Sequence, residues 1–455
     1  MRNNVFNLIL PWKEKEDINY KMYNLMKELY PICRSITGDG TRETLKIIKE
    51  HIPIKIHEIP TGTKVFDWTI PKEWNIKDAY IKNSKGKKIV DFEKSNLYVL
   101  NYSVPVHLEM SLEEVKKHIF TLPDYPDWIP YLTSYYKENW GFCMSHRQYE
   151  KLENDVYEVV IDSTLEDGHL TYGELYLKGE NEEEVLLTCY ICHPSLCNDN
   201  LSGIVLLTFL AKHLKDIKLK YSYRFLFIPE TIGAITWLSL NEDKVSKIRH
   251  GLVATCVGDP GKSTYKKSKI GNAVIDKVVE KALIDSGAPY GIIDFFPSGS
   301  DERQFCSPGF NLPVGSLMRT PYGHFPEYHT SADNLDFVCP EYLADSYKKY
   351  ANVVSILESN VTYLNLNPKC EPQLGRRGLY GMIGGQKIGC VNELAIFWVL
   401  NLSDGTNSLL DISIRSEMSF MGIKNAADVL VKKRLLKEIT RDCRRNGRKL
   451  TYESK

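Results

Sequence analysis

The sequence predicts an α/β fold: an open mixed sheet flanked by helices, interrupted by an inserted β-rich domain and followed by a winged-helix domain. Three observations carry this. Apolar runs rich in Val, Ile and Leu, such as "EEVLLTCYICH" and "YRFLFIPE", alternate with helical stretches such as "LSGIVLLTFLAKHL", the pattern of strands buried on both faces. The stretch from about 64 to 152 breaks that pattern with Trp, Tyr, Pro and short alternating strands. After "NLNPKCEPQLGRRGLYG" the chain resumes as three helical segments and a basic tail. The expected division is therefore 1–63 with 153–362 for the α/β domain, 64–152 for the insertion, and 363–455 for the winged helix.

Composition excludes several classes. The 455 residues are 43% hydrophobic and 25% charged, enough for two or three domains with their own cores, and the formal net charge is zero. The molecule as a whole has no pull toward nucleic acid or an anionic membrane. The opening "MRNNVFNLILPWKEKEDINY" has an apolar run too short for a signal-peptide core or a span, so a cytoplasmic protein with no membrane partner is expected. In that compartment the eleven cysteines act as small core residues, ligands or nucleophiles rather than disulfides.

Helices near 17–29 and 41–51 lead into "IKIHEIPTG", and the pattern resumes at "DVYEVVIDSTLEDGHLTYGELYLKG". Next comes "TCYICHPSLCNDNLSG", residues 188–203, whose Cys189-Tyr-Ile-Cys192-His193 spacing matches c-type haem attachment and half of a zinc knuckle. Both fail: the cysteines lie in an apolar strand, and the chain has no second Cys-x-x-Cys. The strand reading instead puts His193 at a carboxyl end and Asp199 in the following loop, on the edge where open α/β sheets bind ligands. One imidazole and one carboxylate there suit zinc. A bland alternative is an Asn-Asp-Asn turn capping the next helix.

The strands that follow shift the balance toward a site. "YRFLFIPE" ends at Glu230 and is followed by the helix "TIGAITWLSL", and "HGLVATCVGD" ends at Asp259. "GIIDFFPSGSDE" and "LPVGSLMR" are further strands, and the loop beyond the last, "TPYGHFPEYHTSADNLD", holds His324 and His329. One edge thus collects His193, Asp199, Glu230, Asp259 and His329, the donor types of a metal or acid–base centre. "GDPGKST" is not a phosphate loop, because position 256 is Cys256 rather than glycine, and neither a His-Glu-x-x-His helix nor a Gly-x-Ser-x-Gly elbow is present. Asp301 and Glu302 in "SGSDERQF" are candidates for orienting ligands, or simply an acidic helix start. Arg319, Tyr322 and Tyr328, near His329, are candidates for binding substrate or an oxyanion.

His193, "NDNLSG", Glu230, Asp259 and "EYHTSADNLD" together resemble the co-catalytic zinc aminopeptidases, in which two zinc ions share a bridging aspartate. "LYPICRSITGDGTRETL", "VFDWTIPKEW", "ICHPSLCNDNLSG" and "MRTPYGHFPEYHTSADNLD" match most closely a group of bacterial aminopeptidase-like proteins associated with polysaccharide biosynthesis, which carry an inserted domain and a C-terminal winged helix. The resemblance implies a zinc-exopeptidase-like sheet. It makes Asp199 the bridging ligand, His193 and Asp259 ligands of one metal and His329 of the other, with Glu230 as general base. The pattern departs at Thr231, where the peptidases have a second ligating glutamate, and in the short gap from His193 to Asp199. One or two zinc ions are therefore expected.

The function expected is a zinc-dependent hydrolase of amide bonds acting on a peptide or amide-containing small molecule. The alternative is a non-hydrolytic protein on a degenerate peptidase scaffold, binding an amino-sugar or glycan precursor or nucleic acid. The segment Lys424–Lys455 carries eleven Lys or Arg against four Asp or Glu, a net of +7, the charge that nucleic-acid binding by a winged helix needs. Packing or homo-oligomerisation through that module is the other reading.

Overall fold

The computed structural model describes residues 17–379, 382–383, 386–387 and 393–439. The described chain divides into two compact units, 17–276 with 288–351 and 277–287 with 352–439.

The larger unit is built on eight strands: β1 (Lys55–Pro60), β2 (His169–Leu177), β3 (Glu184–Tyr190), β4 (Ser222–Ile228), β5 (Ile248–Ala254), β6 (Ser263–Lys266), β7 (Tyr290–Ile293) and β8 (Val314–Met318). Their order is β1-β2-β4-β3-β5-β8-β6-β7. The centre β4-β3-β5-β8 is parallel, while β2 joins it antiparallel on one side, with β1 antiparallel to β2, and β6 joins it antiparallel on the other. Every residue of β3 and of β4 is buried, as their unbroken apolar character requires. Helix Ser202–Leu214 follows β3 and is buried from Ser202 through Ala211. Gly203 permits its close approach, since a Cβ there would stand 2.4 Å from the Ala254 carbonyl oxygen. Because β4 and β5 lie on opposite sides of β3, the chain reverses direction at the carboxyl end of β3, where such sheets open a crevice.

β6 was not legible: "STYK" is too short and too polar to stand out, yet all four residues are buried between β7 and β8. The inserted segment does contain its own four-stranded sheet, in the order Lys88–Asp91, Glu73–Asn83, Val156–Glu166, Val106–Ser111. Its longest pairing uses Val156–Glu166, which the sequence reading gave to the α/β domain, so the β-rich region runs past 152. A separate core of Ile81, Val90, Phe142, Tyr157 and Val159 supports it.

The smaller unit holds helices Glu393–Leu402, Leu409–Ser416 and Phe420–Lys432 and the antiparallel sheet Asp404–Ser408, Thr362–Asn365, Leu436–Ile439. From sequence the third helix is expected to span "IKNAADVLVKKRLLKEI". It ends instead at Lys432, because Arg434 takes φ +57 and turns the chain into a strand against Thr362–Asn365. Residues 440–455 of the basic segment lie outside the described residues. Lys424, its first residue, is paired with Asp428 at 2.5 Å. Among the described residues no helix is long and apolar enough to cross a membrane.

Candidate metal centre

The loop after β3 is buried without a break from Ile191 through Leu201, which forces each of its polar groups to find a partner. Arg34, fully buried, donates from Nε to the His193 carbonyl at 2.8 Å and from Nη1 to the Leu29 carbonyl at 2.6 Å. Asp333 accepts the backbone N–H groups of Asn198 at 2.6 Å and Asp199 at 2.9 Å. Asn200 donates to the Ala254 carbonyl at 2.9 Å and accepts from the Gly203 N–H at 3.2 Å. Asn200, not Asp199, therefore reaches the start of the helix, and the Asp199 side chain is free for the crevice. The Asp199–Asn200 peptide is cis.

Three side chains converge there. Single donor atoms of His193, Asp199 and His329 all lie within 4.8 Å of one another. His329 Nε2 stands 2.9 Å from Asp199 Oδ2, yet neither is satisfied by a hydrogen bond, and His193 Nδ1 is also buried without a partner. Three orphaned buried atoms of these types fit a divalent metal. Electrostatics prepares them. Burial lowers the His193 imidazole to about 4, keeping it neutral with a free lone pair. Burial opposes ionisation of Asp199, but the two histidines and the Tyr190 hydroxyl hold its carboxyl below the usual range. Tyr190 donates to Asp199 Oδ1 and meets Thr255 Oγ1 at 2.7 Å.

Aromatic rings wall the histidines. Tyr328 stacks on His329 with centroids 4.0 Å apart. Tyr131, from the inserted segment, lies edge-on to both His193 and His329 at 5.2 Å. The strap carrying it is stitched to the His329 loop: the Tyr131 N–H donates to the His329 carbonyl at 2.8 Å and the Ser331 N–H to the Ile129 carbonyl at 2.8 Å. His329 itself sits at φ +55, a conformation this pairing holds in place.

Glu230 follows β4, with Oε2 3.7 Å from His193 Nε2. Burial pushes its carboxyl well above the ordinary range, and Asp301 and Asp199 add to the shift. Cys192, His193 and Glu230 form a second group of donor atoms within 4.8 Å, with the Cys192 sulfur accepting the Glu230 N–H at 3.3 Å. Thr231 takes φ +63; its N–H donates to Asp301 Oδ1 at 2.7 Å and its hydroxyl accepts from Arg303 Nη2 at 3.0 Å. Asp301 is thus a partner of the Thr231 backbone, and burial raises its carboxyl to about 7. Glu302 is tied into a buried ion pair with Lys266 at 2.7 Å.

Not every expected residue reaches the centre. Asp259 lies outside the converging group because β5 ends at Ala254, five residues earlier; Thr255 stands at the strand end instead. The Asp259 carboxylate is taken up by the Thr320 hydroxyl at 2.5 Å, the Gly261 N–H at 2.8 Å and Asn198 Nδ2 at 3.1 Å. Arg319 Nη1 is held by Asp345 at 2.6 Å and its guanidinium lies over the Tyr342 ring, while its Nε is buried without a hydrogen-bond partner. Tyr322 belongs to the Lys266–Glu302 network, accepting from Lys266 Nζ at 2.8 Å. Of the three substrate-binding candidates only Tyr328 borders the histidines. Sequence reasoning missed Arg34, Tyr131, Tyr190 and Asp333. Arg34 and Asp333 lay inside quoted motifs, whereas nothing local marked Tyr131.

Comparison with known proteins gives the family of the chain. The family described as "Domain of unknown function (DUF4910)" matches residues 23–360, and a winged helix-turn-helix family matches 361–438. A Clostridium acetobutylicum protein described as a candidate polysaccharide biosynthesis protein with an aminopeptidase-like domain is 64% identical over 417 residues, 92% of this chain and 96% of that one. A crystal structure of a candidate peptidase from the same organism aligns with TM-score 0.90 at 61% identity, covering 94% of this chain and 98% of that one. A zinc aminopeptidase from Bacillus subtilis shares the fold, with TM-score 0.56 at 12% identity over 75% of this chain and 94% of its own. The chain belongs to the DUF4910 family, an aminopeptidase-like α/β domain followed by a winged helix.

Proposed function

We propose that this protein is a zinc-dependent hydrolase of amide bonds whose metal is a single ion held by His193, Asp199 and His329. The observation that carries the reading is the convergence of donor atoms of His193, Asp199 and His329 within 4.8 Å of one another, with Glu230 beside them. Zinc bound there supplies a Lewis acid for an amide carbonyl and lowers the pKa of a water. Neutral His193 offers its lone pair, and Tyr190 and Asp333 fix the Asp199 carboxylate and its backbone. Glu230 accepts the proton of the attacking water and returns it to the departing nitrogen, a role suited to a carboxyl with a raised pKa. The residues a second ion would need are otherwise engaged: Thr231 bonds to Arg303, and Asp259 is held by Thr320, Gly261 and Asn198. The relative described by polysaccharide biosynthesis supports an amide carried on an amino sugar as the substrate.

The test is hydrolysis of aminoacyl amides and N-acyl amino sugars by zinc-loaded and chelator-treated protein. Zinc-dependent turnover that falls by about 10²–10⁴ in Glu230→Gln, with zinc retained, is expected. Zinc-loaded protein that binds these amides without cleaving them would favour the non-hydrolytic reading.

A further inference from the structure

Two aromatic residues of the inserted segment sit on backbone that is unfavourable for them and gain little burial in return. Phe66, at φ +56, occupies the turn between strands Lys64–Val65 and Trp68–Thr69, and Tyr136 takes φ +66. Such turn positions ordinarily fall to Gly, Asn or Asp. Rings held there for packing would be buried, but Phe66 and Tyr136 are each 49% exposed and Trp68 is 37% exposed. Uncompensated strain of this kind gathers at ligand-binding positions.

The rings also lead to the crevice. Trp68 meets Tyr136 edge-on at 5.2 Å, Tyr136 neighbours Tyr135 at 6.2 Å, the Tyr135 and Tyr131 hydroxyls are 3.0 Å apart, and Tyr131 abuts His193. Phe66 packs toward Phe310 at 5.8 Å. Tyr136 is half exposed, yet burial raises its phenol, with Cys192 and Glu230 adding to the shift.

The chemistry of the rim is mixed. Among the described residues neither the Trp68 indole N–H nor the Tyr136 hydroxyl has a hydrogen-bond partner, and Asp67 is exposed between Phe66 and Trp68. Lys64 is turned to Thr69 Oγ1 at 2.7 Å, which leaves an anionic ligand no ready cation on this hairpin. An apolar peptide side chain would use the rings but not the N–H, O–H and carboxylate around them. A pyranose presents a C–H face bordered by hydroxyls and uses all of these.

We propose that Phe66, Trp68 and Tyr136 form a stacking rim for a neutral pyranose ring, selecting substrates whose amide is borne on a glycan. The choice of substrate rests on the hydrolase reading above, whereas sugar binding itself does not. The test is calorimetric titration of the full-length protein with tetra-N-acetylchitotetraose and, separately, with a phenylalanine-containing tripeptide. The oligosaccharide should bind; Trp68→Ala and Tyr136→Ala should each weaken it about tenfold or more, while Tyr136→Phe, which keeps the ring, stays within about threefold. Chelator-treated protein should bind it as zinc-loaded protein does, so failure of the hydrolase reading leaves this result untouched. Thermal unfolding checks that each variant is folded. The proposal is overturned if the oligosaccharide does not bind, if the alanine variants bind it equally well, or if only the tripeptide binds in a rim-dependent way.

Discussion

Tyr131 donates its backbone N–H to the carbonyl of His329 at 2.8 Å and sets its ring edge-on against that imidazole, so the inserted segment shapes the candidate metal centre directly. The insertion is therefore part of the site. Groups that orient a ligand typically alter metal affinity by 10–100-fold. Tyr131→Ala is expected to weaken zinc binding by about tenfold or more, measured by competition with a chelating dye. Tyr131→Phe should bind nearly as the unaltered protein does, because the ring and the backbone bond survive. Equal affinity in the alanine variant would show that the Tyr131 ring is dispensable.

Thr231 tests the number of metals. Supplying the missing carboxylate in Thr231→Glu should leave zinc content near one ion per chain, since Asp259 remains saturated by Thr320, Gly261 and Asn198. Metal analysis of the dialysed variant reads this, and a rise toward two ions would mean that Asp259 is free to turn into the crevice.

The Lys266–Glu302 pair is fully buried on both sides, and Ser316 also donates to Glu302 at 2.7 Å. Removing one member leaves the other charge without compensation. Lys266→Met is expected to cost about 3–5 kcal/mol in denaturant unfolding. Adding Glu302→Leu should recover part of that loss; a double variant no better than the single one would place the cost in packing.

Much of this was legible in the sequence because buried parallel strands are nearly pure apolar runs. β3 and β4 announce themselves, and His193 and Glu230 follow directly from where those runs stop. Asp259 misled for the same reason: the apolar run "LVATCV" continues beyond Ala254, where pairing ends, so the strand was read too long. The short polar strand β6 and the strand after Arg434 gave no periodicity to read. Tyr131 could not be found from local pattern, since its role depends on a strap pairing with residues 329–331, a contact only the fold creates.

Acid should expose the joint between the insertion and the main sheet. Arg42 donates to both Glu73 oxygens and the His169 N–H bonds the same carboxylate at 2.9 Å; against the cost of burial, the Arg42 bonds hold Glu73 at about 2 rather than 4.5. A carboxyl lowered in the folded state stabilises it above pH about 4.5 and loses that contribution as pH falls toward about 2. Part of the gain is screened by solvent, which leaves about 2 kcal/mol. Glu73→Gln should therefore show a flatter stability profile than the unaltered protein across that window, followed by urea unfolding at stepped pH. Parallel profiles would remove Glu73 from the account of acid sensitivity.

The central claim is one metal among three side chains, and anomalous diffraction at the zinc edge from crystals of zinc-loaded protein tests it most directly. A single peak within bonding distance of His193, Asp199 and His329, absent from Asp199→Asn, is the predicted result. Two peaks, or one peak bounded by Cys192 and Glu230 with His329 left out, would contradict it.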